Sequence, residues 1–443
     1  MTVGFTGLRK VPAVVSRGRG KDGAKCITKQ NNHPMSDPIR TPYPEDIVWP
    51  SHLRPFDPLD HSIQANPYPY YEWMRVHAPI LRTKTPLGDA WYLSRYQDVV
   101  GVLRNPKIFS SEVYDQELAP QVLFMDEPDH SRLRTAVAHV FTPKAVARLE
   151  EKLKVLVGNY LKPFIAANGG EFVESVASPL TLDTIASLMG LPLSETQQFR
   201  RWSQDWASYS GRLSKNSPGS PTDEAGTMAF VAYMTKAIEE ASPDGDSIIS
   251  SLARARNEGK ITDKEAKYYG LVLFTAGHDT TTILISNGII QLAEMPHLLS
   301  RLRENPRDVP AFAEELARYK PAAHRLRRIT TQDVEISGHR IPANSHIRLL
   351  IVAANHDPEK FTNPETFDLN RDTGGHLGYG FGIHSCLGAW LARIEARIVF
   401  EQLAQAVSKI ELYPDPARAV IPATGGSMSA AGPKSVTVRL TPV

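Results

Sequence analysis

The chain contains the segment Gly378-Tyr379-Gly380-Phe381-Gly382-Ile383-His384-Ser385-Cys386-Leu387-Gly388, in which three alternating glycines are followed by His-x-Cys and a fourth glycine. The next residues, 389–397, are rich in helix formers, so the pattern predicts a tight loop that leads into a helix. The first backbone N–H groups of a helix have no intrahelical partner, and the helix dipole is positive at that end. We therefore expect Cys386 to ionise easily, as a nucleophile or as a metal ligand.

The residues alone leave several roles open for Cys386. A cysteine in a glycine-rich turn can be purely structural. A zinc site would require further cysteine or histidine ligands at close spacing, and the other cysteine, Cys26, is far away in the sequence. A cysteine nucleophile would require a positioned base, and His384, two residues away, points elsewhere in most backbone conformations. The remaining role is that of an axial thiolate on haem iron.

The segment resembles the haem-binding loop of the cytochrome P450 family, whose pattern is Phe-Gly-x-Gly-x-His-x-Cys-x-Gly. The chain departs from it only at Tyr379, whose ring can still cover the sulfur side of the haem but whose hydroxyl then needs a partner. The resemblance implies that Cys386 is the metal ligand and that the cofactor is haem b, iron protoporphyrin IX. It also implies a mainly α fold with a minor β part, in which a long oxygen-binding helix lies over the haem. The matching positions are Gly380, Gly382, His384, Cys386 and Gly388.

A second motif lies inside a predicted long helix. Thr262 and Glu265 have capping-box spacing, so we expect the helix to begin there and to end near Met295-Pro296. Its middle, residues 274–282, reads Phe-Thr-Ala-Gly-His-Asp-Thr-Thr-Thr. Glycine and threonine are poor choices for the centre of a buried helix, so a kink held by threonine–carbonyl hydrogen bonds is one interpretation.

The resemblance offers another interpretation of this motif, because Ala-Gly-x-Asp/Glu-Thr is similar to the oxygen-binding groove of the family. It implies that Ala276 and Gly277 leave room beside the haem. It further implies two catalytic residues: Thr280, which hydrogen-bonds to dioxygen, and Asp279, which relays protons.

Several cationic side chains resemble those that hold the haem propionates in the family. His130 and Arg134 are four residues apart, so both can project from one helix face toward an anion; a solvated basic face is the alternative. The resemblance implies a third cation from a strand, for which we choose Arg328 over Arg327, and a further donor at His384. Haem carboxylates need such positive partners because buried charges are otherwise costly.

A Glu-x-x-Arg pair follows Pro310, a good first-turn residue of a helix. Glu315 and Arg318 are three apart and therefore share a helix face, which would stabilise little if the pair were exposed. The family resemblance implies instead that the pair is buried and is joined by Arg371 from a downstream loop, as a structural brace around the haem.

Composition limits the other function classes. The 443 residues carry a formal charge of +2, of which residues 1–34 contribute +6, so the remainder is mildly acidic and does not suit nucleic-acid binding. Two cysteines fit a reducing, cytoplasmic compartment, and no apolar run approaches a membrane span. We read residues 1–38 as a disordered basic leader or a mis-assigned start, with Met35 as the alternative start, and residues 39–443 as a single haem domain.

The resemblance to the soluble bacterial members of the family implies monooxygenation of a small-molecule substrate. No flavin- or nicotinamide-binding domain is evident, so ferredoxin and ferredoxin reductase are the expected electron donors. A peroxide-driven enzyme and a non-catalytic haem sensor or carrier are the alternatives, and the Asp279-Thr280 pair disfavours both. Four basic residues are expected to form the donor-docking patch, namely Arg132, Lys144, Arg393 and Arg397.

The identity of the substrate is not evident from the sequence. We expect it to contact residues 113–123, 201–212, 274–278 and 322–326. Within the last of these, His324 and Arg325 suggest an anionic or carbonyl-bearing substrate.

Overall fold

A computed structural model describes residues 39–85, 88–113, 119–213, 221–413 and 430–443. The predicted leader, residues 1–38, lies outside these ranges, as does part of the expected substrate loop at 114–118. Within the described ranges the chain is mainly helical with a smaller strand component, which confirms the predicted fold class.

The helices dominate the chain from residue 129 to residue 319. In order they are α1 (His61–Ala65), α2 (Tyr68–His77), α3 (Tyr96–Leu103), α4 (Asp129–Thr135), α5 (Pro143–Ala147), α6 (Glu150–Ala166), α7 (Ser178–Met189), α8 (Thr196–Leu213), α9 (Pro221–Glu240), α10 (Ile248–Asn257), α11 (Asp263–Glu294), α12 (Pro296–Glu304), α13 (Val309–Tyr319), α14 (Ile351–Asn355) and α15 (Ala389–Ala406).

The strands form three sheets. They are β1 (Ile80–Thr85), β2 (Gly88–Leu93), β3 (Phe109–Ser110), β4 (Gly169–Glu171), β5 (Arg325–Thr330), β6 (Val334–Ile336), β7 (His339–Ile341), β8 (His346–Leu350), β9 (Val407–Leu412) and β10 (Thr437–Pro442). The largest sheet has the order β1-β2-β8-β5-β3, with β2 and β8 parallel and the other pairs antiparallel. Strands β4, β10 and β9 form a second sheet, and β6 and β7 a third.

The 32-residue helix α11 is the longest element and lies at the centre of the helical core. The predicted capping box is confirmed: Thr262 Oγ1 accepts from the Glu265 N–H at 3.1 Å, and Glu265 Oε2 accepts from the Thr262 N–H at 2.8 Å. The helix ends at Glu294, before Pro296, as predicted. It packs against α7, α9 and α15, which hold its middle in the interior.

Close approach between helices explains one glycine of α11. A Cβ atom at Gly277 would lie 2.7 Å from Ile185 Cδ1 on α7, well inside van der Waals contact. The absent side chain of Gly277 therefore makes room for α7, while the expectation that Gly277 leaves space beside the cofactor stays a prediction. A bulkier residue there would force the two helices apart.

Two short strands lie in segments whose local sequence pattern does not indicate them. Residues 142–296 have a mainly helical pattern, which β4 interrupts by pairing with β10 near the end of the chain. Residues 109–124 have no clear period, and they begin with β3 and end with a 3-10 turn over Val122–Phe124. Both exceptions are very short strands whose partners are remote in sequence, so local patterns carry no signal for them. None of the helices in the described ranges is long and apolar enough to cross a membrane.

Candidate active site

The Cys386 loop adopts the geometry that its glycines permit. Gly380 and Gly382 have φ angles of 70° and 73°, in the left-handed region that favours glycine. The Cys386 N–H donates to the Tyr379 carbonyl at 2.8 Å, which closes the loop. Helix α15 begins three residues later at Ala389, so the cysteine lies at a helix entrance as predicted.

The thiol itself is less acidic than the sequence suggested. The Cys386 side chain is accessible to solvent. Many protein atoms nevertheless surround its sulfur, and this burial raises the pKa of the thiol above its ordinary value. The Gly388 N–H and the charges of Arg134 and Arg393 lower this pKa but do not outweigh burial. The expected easy ionisation is therefore wrong for the free thiol, and a cation bound to the sulfur would be needed to hold the thiolate.

Tyr379, the residue that departs from the family pattern, packs beside the cysteine. The Arg393 guanidinium lies 4.2 Å from the centroid of its ring. Its hydroxyl is buried and has no hydrogen-bond partner among the described residues. The partner expected from the sequence is thus not found, and leaving a buried hydroxyl unpaired costs on the order of 1–3 kcal/mol.

Four predicted cofactor-binding side chains converge beside the loop. The rings of His130 and His384 are 4.2 Å apart, and Arg134 donates to the Ser385 carbonyl at 2.8 Å. Burial, with the charges of Arg328, His130 and Arg134, lowers the pKa of His384 to about 3. The structure therefore places His130, Arg134, Arg328 and His384 together, although they come from three distant parts of the chain.

The two arginines of this cluster lack the carboxylate partner that His130 has in Glu127, whose Oε1 lies 3.3 Å from His130 Nδ1. Burial lowers the pKa of Arg328 to about 10, and the carboxylate of Asp126 only partly restores it. Arg328 donates to the Arg327 carbonyl, but no carboxylate among the described residues lies within ion-pairing distance of it. Arg134 likewise has no ion-pair partner in those ranges. A buried guanidinium without a carboxylate fits an anionic cofactor group such as a haem propionate, so the residues present suit haem.

Ser111 is a neighbour of this cluster that sequence reasoning missed. Its hydroxyl lies 2.9 Å from Nε2 of His384, and its N–H donates to Asp126 Oδ1 at 2.8 Å. The serine thus fixes the orientation of the His384 ring. It is 273 residues away from that histidine, and no local pattern marks it.

The predicted catalytic residues, Asp279 and Thr280, are consecutive residues in the middle of α11. Thr280 Oγ1 donates to the Ala276 carbonyl at 3.0 Å, the type of bond on which the kink interpretation rests. The Asp279 side chain is 47% exposed, with Oδ1 at 2.9 Å from Nδ1 of His278. Nε2 of the buried His278 lies 2.9 Å from the Ser203 hydroxyl on α8. The His278 Nδ1–Asp279 contact lacks hydrogen-bond geometry, so the ring is bonded to Ser203 on α8 and only lies beside Asp279. The sequence did not reveal the contact with α8.

The Glu-x-x-Arg pair is fully buried, as the resemblance implied. Glu315 and Arg318 are both 0% exposed and are joined by two hydrogen bonds of 2.7 Å. Arg371 Nε donates to Glu315 Oε1 at 3.1 Å. The Arg318 carbonyl accepts from Asn355 Nδ2 at 3.0 Å, and Asn355 Oδ1 accepts from the Leu377 N–H at 2.7 Å. This chain of bonds connects the pair to the residue preceding the Cys386 loop.

The expected basic docking patch is largely neutralised. Arg132 pairs with Asp129 and with Glu265, the capping residue of α11. Arg393 pairs with Glu314. Arg397 pairs with carboxylates from α6 and from its own helix. Arg132 is thus corrected from a steering charge to a link between α4 and the start of α11, and only Lys144 of the four stays without an ion pair in the described ranges.

The expected substrate-contact residues fall on several elements. Residues 201–212 lie on α8, and Phe274 is fully buried on α11. His324 and Arg325 lie at the start of β5, next to a small pocket. Arg327 and Arg328 follow on the same strand, with Arg328 the more deeply buried of the two.

Glu395 on α15 is a further buried acid that sequence reasoning missed. It is 1% exposed, and neither carboxyl oxygen has a hydrogen-bond partner among the described residues. Burial raises its pKa from 4.5 to about 8, and the nearby Thr184 hydroxyl offsets only part of that rise. Glu395 therefore keeps its proton in the folded protein at neutral pH.

We expect Glu395→Gln to stabilise the protein more at pH 8 than at pH 5. An unfolded glutamate ionises near pH 4.5 while the folded one stays protonated to about pH 8, so the wild type loses stability as pH rises through that window. Because glutamine does not ionise, the substitution should raise the free energy of unfolding by up to about 4 kcal/mol at pH 8. Urea unfolding of both proteins at the two pH values measures the difference, and an equal effect at both would contradict the assignment.

Comparison with known proteins places this geometry among related chains. A family model described as cytochrome P450 matches residues 227–435. The Biotin biosynthesis cytochrome P450 of Bacillus subtilis (strain 168) is 33% identical over 362 residues, covering 78% of this chain and 90% of that protein. Cytochrome P450 monooxygenase PikC of Streptomyces venezuelae is 32% identical over 379 residues, covering 82% and 89%. Among solved structures, the chain is similar to the Bacillus subtilis 168 bacillaene polyketide synthase cytochrome P450 PksS. The two superpose with a TM-score of 0.78 at 29% sequence identity, over 87% of this chain and 100% of that one.

Proposed function

The chain belongs to the cytochrome P450 family and is a haem-thiolate monooxygenase, and we propose that it inserts one atom of dioxygen into a small organic substrate with electrons from a separate ferredoxin and ferredoxin reductase. The observation that carries the proposal is the cluster of basic side chains around the Cys386 loop, among them a buried Arg328 guanidinium without a carboxylate within ion-pairing distance among the described residues. We further propose that residues 39–443 act as one haem domain in the cytoplasm, a reducing compartment that keeps Cys386 free of disulfide bonds.

In this proposal the residues of the cluster divide the work of holding the haem. Cys386 is the metal ligand, and the loop closed by the Tyr379 carbonyl fixes its sulfur. His130, Arg134, Arg328 and His384 bind the two propionates. The haem supplies the one-electron and oxygen chemistry, for which a thiolate ligand favours O–O cleavage. The protein supplies the binding and orientation of cofactor and substrate.

Asp279 and Thr280 are the proposed proton-delivery pair. The Asp279 side chain is 47% exposed and is therefore accessible to water, with His278 Nδ1 2.9 Å from its carboxylate. The Thr280 hydroxyl is one residue further along α11 and donates to the Ala276 carbonyl, which leaves its oxygen able to accept. Together they can pass a proton from solvent toward the interior of the helix bundle.

Uncoupled turnover tests this pair. Thr280→Ala is expected to bind haem and substrate normally but to divert reducing equivalents to hydrogen peroxide, because the hydroxyl that positions the proton is lost. Asp279→Asn is expected to slow turnover by about 10-fold or more, as for the loss of a general acid–base group. NADH consumption, peroxide and product are measured together with a ferredoxin system.

The same assay separates the alternatives. A peroxide-driven enzyme would form product from peroxide alone and ignore NADH, whereas a sensor or carrier would form none in either case. If both variants keep the coupling and rate of the wild type, the kink interpretation of this helix is the better one. Thr282→Ala, on the same helix, is the matched control, since its hydroxyl contacts Thr181.

We propose a revised donor-docking surface formed by Arg104, Lys144, Arg148 and Trp390. The three cations are exposed and form no ion pairs among the described residues. Helix α5 carries Lys144, is followed by its C-cap residue Arg148, and packs against α15, the helix that follows Cys386. Arg104 lies 5.2 Å from the ring of Phe381 in the Cys386 loop. Trp390, four residues after Cys386, is 50% exposed, and exposed tryptophan with nearby arginine is typical of binding hot spots.

Reversing the unpaired charges is expected to slow reduction by an acidic ferredoxin. The double variant Lys144→Glu/Arg148→Glu removes the electrostatic attraction between this surface and the ferredoxin. That attraction is screened over a Debye length of about 8 Å at physiological salt. Stopped-flow reduction rates should fall several-fold at low salt and converge with those of the wild type as salt rises. Lys409→Glu, a charge reversal on β9, is the control. A flat salt profile in the wild type would rule out electrostatic steering.

A further inference from the structure

We propose that His278 is a positioning residue for proton delivery: its Nδ1 atom accepts the proton of Asp279, and Ser203 on α8 holds the ring in place. The inference rests on the proposed function, because it adds a third side chain to the pair formed by Asp279 and Thr280. It depends on a buried hydrogen bond at one ring nitrogen, a buried nitrogen without a partner at the other, and a carboxylate beside that second nitrogen.

The hydrogen bond between His278 and Ser203 joins two buried side chains on different helices. His278 is 2% exposed and Ser203 is 0% exposed. Nε2 of the histidine lies 2.9 Å from the serine hydroxyl. The Phe274 ring stands almost perpendicular to the imidazole, with the ring centroids 5.6 Å apart. Because breaking the bond would leave two buried polar groups unpaired, the ring is held in one orientation.

The serine hydroxyl decides which nitrogen of the ring carries the proton. Ser203 Oγ donates to the Arg200 carbonyl at 3.2 Å, one turn earlier on α8. A hydroxyl group has a single proton, so an oxygen that donates to Arg200 can only accept from His278. Nε2 therefore carries the ring proton, and Nδ1 of the neutral imidazole presents a lone pair.

Nδ1 lacks the partner that a buried ring nitrogen requires. It forms no hydrogen bond with any of the described residues. Asp279 Oδ1 lies 2.9 Å away, but out of line for a hydrogen bond. A nitrogen lone pair and a carboxylate oxygen are both acceptors, so they repel at this distance unless a proton lies between them. A proton on Asp279 would convert this repulsion into an O–H···N hydrogen bond.

The Asp279 carboxyl group can form this bond by rotating about its own side-chain torsions. Its side chain is 47% exposed, whereas the histidine ring is packed in the interior. The carboxylate can therefore accept a proton from water on its exposed side and turn it toward Nδ1 on its buried side. The proton leaves again through the Thr280 hydroxyl, which returns Asp279 and His278 to their starting state without any transfer of electrons.

Arg200 opposes permanent protonation of Asp279. Hydrogen bonds to Glu174 raise the pKa of Arg200, and the charge of Asp279 raises it further. The reciprocal effect of the guanidinium favours the ionised form of Asp279. His278 and Arg200 thus act on the carboxyl group in opposite directions, which suits a group that must take up and release a proton in each turnover.

Magnetic resonance of the ring nitrogens tests the assignment in the haem-loaded protein. The ferrous carbon monoxide complex is diamagnetic, so long-range proton–nitrogen spectra can be recorded on protein with isotope-labelled histidine. The His278 signals are those that disappear in His278→Gln. We expect Nε2 to be the protonated nitrogen and the Nδ1 signal to lie between those of a bare and a protonated nitrogen. Asp279→Ala should shift the Nδ1 signal to the position of a bare lone pair.

Two spectroscopic results would overturn the proposal. One is a ring proton on Nδ1 in place of Nε2, which would contradict the arrangement derived from Ser203. The other is an Nδ1 signal that Asp279→Ala leaves unchanged, since the carboxyl group would then not share a proton with the ring.

Peroxide release measures the effect on proton delivery without a known substrate. In a ferredoxin system, one NADH and one proton reduce dioxygen to hydrogen peroxide, and a second NADH and proton complete the reduction to two water molecules. His278→Gln keeps a donor for Ser203, but its amide cannot take up a proton. It should raise the peroxide released per NADH several-fold. The control His139→Gln changes a histidine–serine contact with Ser251, remote from Asp279 in the sequence, and should have no effect.

Thr280→Ala in the same assay separates this inference from the proposed function. A rise in peroxide in Thr280→Ala but not in His278→Gln would refute the role of His278 alone. A shared proton in the spectra, with wild-type peroxide release in both variants, would instead refute the proposed proton-delivery function and leave the bond between His278 and Asp279 standing.

Discussion

Replacing Cys386 with alanine is expected to abolish the red-shifted Soret band that the carbon monoxide complex of the reduced protein shows when a thiolate is the axial ligand. The loss should be complete, because no other cysteine, and no cluster of three or more metal-binding side chains, occurs in the described ranges. Burial raises the pKa of the free thiol, so coordination to a cation would favour the thiolate at Cys386.

Two further variants make this result specific. Cys386→Ser keeps the size and polarity of the side chain but not the soft sulfur ligand, and it should lose the band as well. Cys26→Ala removes the other cysteine of the chain and should retain it. A red-shifted band that persists in Cys386→Ala would mean that another group binds the iron.

Replacing Glu315 with glutamine is expected to destabilise the folded protein strongly. The change is isosteric, but it leaves the guanidinium of the fully buried Arg318 and that of Arg371 without their shared carboxylate. Removing one partner of a buried ion pair costs about 3–5 kcal/mol. Urea unfolding at neutral pH measures the loss.

Retention of haem provides a second measurement on the same variant. Asn355 joins Arg318 to the N–H of Leu377, so displacement of the buried pair should loosen the loop that follows Leu377 and release haem more readily. The control is Glu411→Gln, which removes an exposed ion pair with Lys409. It should lower the free energy of unfolding by less than about 1 kcal/mol. Equal losses in the two variants would show that the buried pair does not brace the fold.

The elements that could be predicted from the sequence are those specified by local chemistry. The start and the end of α11 follow from a capping box and a proline, both within a few residues of the boundary. The Cys386 loop follows from glycines that adopt positive φ angles. In each case the residues that cause the structure are adjacent in the chain.

The features that could not be predicted depend on contacts between remote residues. Strand β4 exists because residues 169–171 meet β10 near the end of the chain. Arg132 resembled an exposed steering charge until the structure placed Glu265 beside it, 133 residues away. The hydrogen bond from Ser111 to His384 and the unpartnered acid Glu395 depend on tertiary packing in the same way. Sequence patterns identify such residue types but not the groups they meet.

Strand β5 has a consequence for how this enzyme can evolve. Successive side chains of a strand point to opposite faces, so Arg325 and Arg328 face different surroundings although they are only three residues apart. Point mutations at position 325 can therefore change the packing against the N-terminal helices without disturbing the cation assigned to the cofactor. An insertion or deletion of one residue in the strand would exchange the two faces and displace both side chains at once. Related chains should thus vary position 325 by substitution and keep the length of the strand constant.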